Sequence, residues 1–258
     1  MESRYPVFTR GRILKGEMLE ALRTYPEQYL RLSYENYTAG VLYGLKLSSS
    51  EKGDGLRIGG GIVKYRGRIH ILPEEKLLAC PADGHRSYLY LSLEGEERDG
   101  DWECFSFSYR LQREEKREHG LLLGSFCLRP GFRLRDRYLD FRDCAAAFDT
   151  LDLRNADYAG PFRPAFHPKL LRLYALEGLR LQGGLCEEEF LFCQLLLSRP
   201  EGFCRESLEH YIARRLRREY RELSNLELYE GLSELLKRGG GRGTEEPERE
   251  GRKRIFLS

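Results

Sequence analysis

Three glycines followed by basic residues, in "GGGIVKYRGRIHIL" (Gly59 to Leu72), have the composition of a phosphate cradle. A phosphate loop needs a strand, a glycine-rich turn and then a helix whose free N–H groups face the anion. Here Ile62-Val63-Lys64-Tyr65 follows the glycines, and Ile and Val favour a strand. Arg66-Gly67 supplies another turn, and neither Gly-Lys-Ser/Thr nor GxGxxG leads into a helix. The stretch therefore predicts a bend or bulge followed by a hairpin. Glycine there permits positive φ and close strand approach.

Cys186, Cys193, Cys204 and His210 are the metal-ligand candidates, with six, ten and five residues between them. Zinc ligands typically come as close pairs, two to four residues apart, so this spacing fits buried core thiols better. Seven cysteines, an odd number without tight pairing, fit a reducing compartment. No local signature pairs a cysteine with a histidine for nucleophilic catalysis. His167, between Phe166 and Pro168, suits an N-cap or packing role. Asp140 and Asp143 flank Phe141 and Arg142, and no carboxylate pair stands out for acid–base work. "RRLRRE" (Arg214 to Glu219) and the basic C-terminus are the candidates for phosphate contacts. Glu206, Glu209, Glu219 and Glu222 interleave with the first, and the formal net charge is only +2. A salt-bridged, solvated face is the favoured reading. No catalytic, cofactor-binding or metal-binding residue is assigned.

The elements that would carry these residues change character along the chain. In "RGRILKGEMLEALRTYPEQYLRLSYENYTAG", Leu14, Met18 and Leu22 share one helical face. Thr24 and Glu27 read as a capping box with Pro26 in its first turn. This predicts a kink or restart near Thr24, and a second helix carrying Tyr29 and Leu32 inward. From Ala39 to Cys127 the period becomes two. Asp54-Gly55, Asp83-Gly84 and Asp99-Gly100 mark turns. No helix-length segment interrupts these strands, so the sheet should be mainly antiparallel. Residues 128–165 read as an ordered irregular connector with one short helix at Cys144 to Thr150. From Pro168, placed for a first turn, four helical segments follow, one of them running from Arg205 to Leu223. Leu208, Ile212, Leu216 and Tyr220 form that segment's stripe. Ser224 and Glu227 make a second capping box, opening the last segment.

These readings give an α+β fold: an antiparallel β-sandwich or small open barrel with an N-terminal helical segment, then a C-terminal helical domain. The expected divisions are 1–127 (helix plus β domain), 128–165 (connector), 166–238 (helical domain) and 239–258 (a disordered charged tail). No run of about 18 apolar residues predicts a membrane span, and "MESRYPVFTRGRIL" has no apolar signal core. The expected location is the cytoplasm, or a particle released by lysis.

Three stretches carry a family resemblance. "GRILKGEMLEALRTYPEQYLRLSYENYTAGVLYGLKL" with "LRIGGGIVKYRGRIHIL" resembles the opening of a protein encoded beside phage-tail-like modules in Clostridia and their relatives. The matching features are Met18-Leu19-Glu20, Tyr25-Pro26 and the tyrosine–glycine pattern from Tyr34 to Gly44. Arg205 to Ile212 and Ser224 to Tyr229 look like later stretches of the same family. "GIVKYRGRIHIL" also looks like a hairpin of phage baseplate and tail-fibre connectors. The chain departs from fibre proteins in lacking a long repetitive stalk, and no Walker motif supports a helicase. The resemblance implies a non-enzymatic structural or adaptor protein, without cofactor, in a phage tail-like particle from a prophage. Its implied partners are other tail or baseplate proteins, with homo-oligomers an option. The alternative is a nucleic-acid-binding accessory protein, a partner class that the charge balance disfavours.

Overall fold

Residues 5–11, 13–181, 185–199 and 202–240 are described by the computed structural model. The expected tail, apart from Gly239 and Gly240, lies outside them. Among them the period-two region forms β1 (Gly40–Gly44), β2 (Leu47–Ser49), β3 (Gly55–Ile58), β4 (Gly61–Tyr65) and β5 (Arg68–Leu72). It continues with β6 (Lys76–Ala79), β7 (Arg86–Asp99), β8 (Trp102–Gln112) and β9 (Leu121–Cys127). The strands pair as three antiparallel sheets, ordered β1-β4-β5, β2-β3-β6 and β8-β7-β9. With the helices below, this is an α+β fold.

The turns follow their residue chemistry. Arg66 and Gly67 both take positive φ, 47° and 80°, and close the β4–β5 hairpin at the Tyr65–Arg68 pair. Such two-residue loops match the right-handed twist of their strands. Gly100 (φ 57°) opens the loop between β7 and β8, whose last pair is Asp99–Trp102. Trp102 therefore sits at a hairpin tip, 74% exposed. In the first loop the left-handed residue is Gly53 (φ 73°), while Gly55 already begins β3.

The helices are α1 (Gly16–Ser33), α2 (Pro168–Gly178), α3 (Glu187–Ser198), α4 (Arg205–Leu216) and α5 (Asn225–Gly240). Two expectations about α1 need correction. The helix runs through Pro26 without restarting. Thr24 does not cap it; its hydroxyl donates to the Glu20 carbonyl one turn back (3.0 Å). Nor do Tyr29 and Leu32 point inward, since no residue of α1 is buried. The segment expected to run to Leu223 also ends early, at Leu216. Arg217 takes the left-handed conformation (φ 56°, ψ 46°), and the Arg218 N–H closes on the Ala213 carbonyl at 2.8 Å. Leu208, Ile212 and Leu216 are buried, but Tyr220 falls beyond the helix and is 45% exposed.

Residues 144–150 hold no α-helix. A short 3-10 turn spans Asp143–Ala145, then Ala146 turns extended and Asp149 adopts positive φ (56°). Asp149 is held there by the Arg129 N–H and guanidinium. Backbone bridges stitch this region to its neighbours, including Ser125–Asp152, Arg135–Thr150 and Val41–Tyr158. Its Leu134, Phe141, Leu151 and Leu153 are at most 2% exposed. They belong to one continuous apolar core with Val63 and Leu89 of the sheets and Leu170, Leu208 and Leu232 of the helices. The irregular backbone thus fills the space between sheets and helices.

A buried ionic hub fixes α4 and α5 to that segment. Glu209, 1% exposed, accepts two bonds from the Arg163 guanidinium (2.6 and 2.9 Å) and one from the Leu223 N–H (2.9 Å). Arg205 lies 3.5 Å from the same carboxylate and donates to the Pro164 and Leu223 carbonyls and to Asn225. Burial alone would raise the Glu209 pKa. The bonds from Arg163, Leu223 and Tyr220 outweigh it and hold the carboxyl below the usual range.

Candidate functional site

The triglycine turn opens a strand, β4, and no helix begins at Ile62. Its polar backbone is already used: the Gly59 N–H donates to the Lys46 carbonyl and the Gly60 carbonyl accepts from Leu45 N–H, both at 3.0 Å. None of the three glycines has positive φ. Close approach is what requires them. A Cβ would stand 2.7 Å from the Pro73 carbonyl oxygen at Gly60, and 2.5 Å from the Leu45 nitrogen at Gly61. Lys64, the basic residue that gave the stretch its phosphate character, has another use. Its ammonium donates to the carbonyls of Tyr34, Glu35 and Tyr37 at 2.8, 2.9 and 2.8 Å. A cation at the C-terminal end of α1 meets the negative end of the helix dipole and satisfies carbonyls left over there.

The other candidates are not brought together. Cys186 and Cys204 are the N-cap residues of α3 and α4, and Cys193 is buried in α3. His210 stacks on Tyr220, ring centroids 4.1 Å apart. Among the described residues no group of three or more His, Cys, Asp and Glu side chains is placed to hold a metal ion. His167 is the α2 N-cap, its Nδ1 accepting from the Lys169 N–H at 3.1 Å, and Pro168 follows in the first turn. Burial, then the Lys169 charge, lowers its pKa to about 3. Asp143 accepts from the Leu139 N–H at 2.9 Å and pairs with Arg135 at 3.0 Å, and Asp140 accepts from the Asp143 N–H at 2.8 Å. In the arginine run, Arg214 pairs with Glu188, Arg215 with Glu189 and Arg218 with Glu234. Arg221, just beyond the run, pairs with Glu227.

What stands exposed is apolar. Leu14, Met18, Leu22, Tyr25, Tyr29 and Leu32 follow one another at spacings of four, four, three, four and three, one stripe along α1 and the residue pair before it. Five of the six are 48–65% exposed. The residues ahead of them continue the surface: Tyr5, Val7, Phe8 and Ile13 are all more than half exposed, and the Tyr5 ring meets Tyr25 edge-on at 6.1 Å. Full burial of one such side chain is worth about 1.5–3 kcal/mol, and monomers rarely leave them contiguous. The spacing on α1 was visible in the sequence; that no described residue covers it was not.

A second apolar surface lies on the helical region. Leu179, Leu181, Leu185, Phe190 and Leu191 line an open groove of about 400 Å³ at the end of α2 and the outer side of α3, with Glu187 as its charged member. Phe190, Leu191 and Leu195 are 48%, 65% and 43% exposed. The opposite side of α3 buries Phe192, Cys193 and Leu196. Its composition is apolar on both sides, and the described residues cover only one of them. Nothing in the sequence pattern distinguished the covered side from the open one.

No protein-family model matches the chain, and no curated protein matches it. Among solved structures, a crystal structure of TssK aligns with 92% of this chain and 69% of that one, at 13% identity and a TM-score of 0.44. The TssK-TssF-TssG baseplate subcomplex of the type VI secretion system, seen by cryo-electron microscopy, aligns with 93% of this chain at 13% identity. It covers 99% of the matched chain, with a TM-score of 0.39. Likenesses at this level carry no argument about what this chain does.

Proposed function

We propose that this chain is a non-enzymatic structural adaptor of a phage tail-like or related contractile particle, joining other baseplate proteins through direct contact. The observation that carries the reading is α1: an 18-residue helix without one buried residue, presenting a stripe of leucines and tyrosines. Such a face is stable in water only as part of an assembly or at a cost in solubility. The groove beside α3 gives a second contact surface on different elements, as an adaptor needs. The sequence resemblance at Met18-Leu19-Glu20, Tyr25-Pro26 and Tyr34 to Gly44 supports the particle assignment. The protein is then made in the cytoplasm and released within the particle.

The test is composition. Particles are purified from the producing cells by sedimentation and their proteins identified by mass spectrometry. The chain is expected at a fixed ratio to tube and sheath proteins. Its absence from intact particles would remove the reading. A particle-borne chain carrying Leu22→Glu and Tyr29→Glu is expected to drop out while retaining its fold by circular dichroism.

A further inference from the structure

Among the described residues two apolar surfaces stand uncovered, one convex and one concave: the α1 stripe and the groove of Leu179, Leu181, Leu185, Phe190 and Leu191. We infer that they are the two halves of one interface, with α1 of one copy lying in the α2–α3 groove of the next. This rests on the adaptor reading and names a second copy of the chain as one of its partners.

Three observations favour that occupant. An amphipathic helix laid in an apolar groove is a recurring recognition mode, read through anchors at three- and four-residue spacing; Met18, Leu22, Tyr25, Tyr29 and Leu32 supply them. The charges match in sign. The groove's charged member is Glu187, on the first turn of α3, and the charged residue at the leading end of the stripe is Lys15, the N-cap of α1. The remaining charges of α1, Glu17, Glu20, Arg23, Glu27 and Arg31, project away from the stripe by helical spacing, so docking strands none of them. Finally, the two surfaces lie on different elements, so the contact is head-to-tail. A head-to-tail contact repeats from copy to copy and closes into a ring when its rotation allows.

That geometry has a specific test. Leu22→Glu removes the helix side and leaves the groove; Leu191→Glu removes the groove side and leaves the helix. Both residues are solvent-facing in the single chain, at 48% and 65% exposure, so each variant is expected to keep the unfolding midpoint of the wild type diluted to a monomer. By size-exclusion chromatography with light scattering, the wild type should run as an oligomer and each variant as a monomer. An equimolar mixture of the two should form a one-to-one dimer and stop there, since each complex holds one intact helix and one intact groove on different copies. A monomeric wild type would overturn the inference, as would a mixture that stays monomeric, and as would a Leu191→Glu variant that still self-associates, which is the result for a symmetric α1–α1 contact. So would a variant that keeps the wild-type mass. If the wild type is monomeric in solution yet present in purified particles, the adaptor reading stands and only this inference falls.

Discussion

α1 and α5 make an instructive pair. Both are long amphipathic helices, of 18 and 16 residues, with apolar side chains gathered on one side. α5 buries Leu228, Leu232, Leu235 and Leu236 against the body of the protein, and its Gly231 lets Ile212 of α4 approach: a Cβ there would be 2.7 Å from the Ile212 side chain. α1 buries nothing and is tied down at one end, through Lys64. The N-termini differ too. Ser224 and Glu227 exchange bonds at the start of α5 (2.7 and 3.2 Å), whereas Lys15 makes no side-chain cap for α1. Periodicity thus shows that a helix has a side to cover. Whether the cover comes from the same chain is decided by the remaining elements, and among the described residues they leave α1 out.

This contrast can be broken in order of effect. The largest expected loss is at Glu209, which locks α4 and the α4–α5 loop to Arg163. Glu209→Ala leaves Arg163 and Arg205 without their buried counter-charge, and should cost about 3–5 kcal/mol in urea unfolding. A loss under about 1 kcal/mol would show the hub to be dispensable.

Next comes the direct comparison of the helices. Leu232→Ala in α5 should cost about 2–5 kcal/mol. Leu22→Ala in α1 should stay within about 0.5 kcal/mol for the isolated chain. Measured at concentrations that keep the chain monomeric, equal losses at the two sites would mean that α1 packs against its own chain.

Acid sharpens the same contrast at α2. The buried His167 ring titrates near 3 in the native protein, against 6.5 for an open histidine. Between those values the unfolded chain holds one more proton, so stability falls as pH drops through the window, by at most about 1.4 kcal/mol per pH unit. In His167→Asn, which keeps a capping acceptor, the dependence of the unfolding midpoint between pH 7 and 4.5 should be shallower by that amount. An unchanged slope would locate the titration elsewhere. The smallest expected loss outside α1 is at the α5 cap: Ser224→Ala should lose about 1 kcal/mol, measured by the same unfolding curves.

Much of this architecture was legible before the structure. The period of two from Ala39 to Cys127, the Arg66-Gly67 turn, Pro168 at a helix start and the Ser224–Glu227 box are local signals, and each acts through its own few residues. The misreadings share a different cause. A helix end at Leu216 depends on one left-handed arginine, and no residue type there announces it. In 128–165, charge mixed with isolated aromatics reads as an ordered connector and does not show which of its side chains are buried. Yet its charges are consumed in pairs such as Arg154–Asp152, which frees Phe141 and Leu151 to enter the core. Pro26 reads as a restart because its missing N–H normally interrupts a ladder; α1 absorbs that loss and continues. At the candidate site, the stripe from Leu14 to Leu32 could be read from spacing alone. The role of Lys64 could not, because it depends on three carbonyls 27 to 30 residues away.

Trp102 has a practical consequence. The chain's single indole stands in water at the β7–β8 tip, remote in environment from every buried ring. Intrinsic fluorescence should therefore change little when the core melts, and a flat emission trace must not be mistaken for resistance to denaturant. The same quiet background makes it a clean optical reporter: a blue shift on adding another component would place that component at the hairpin end.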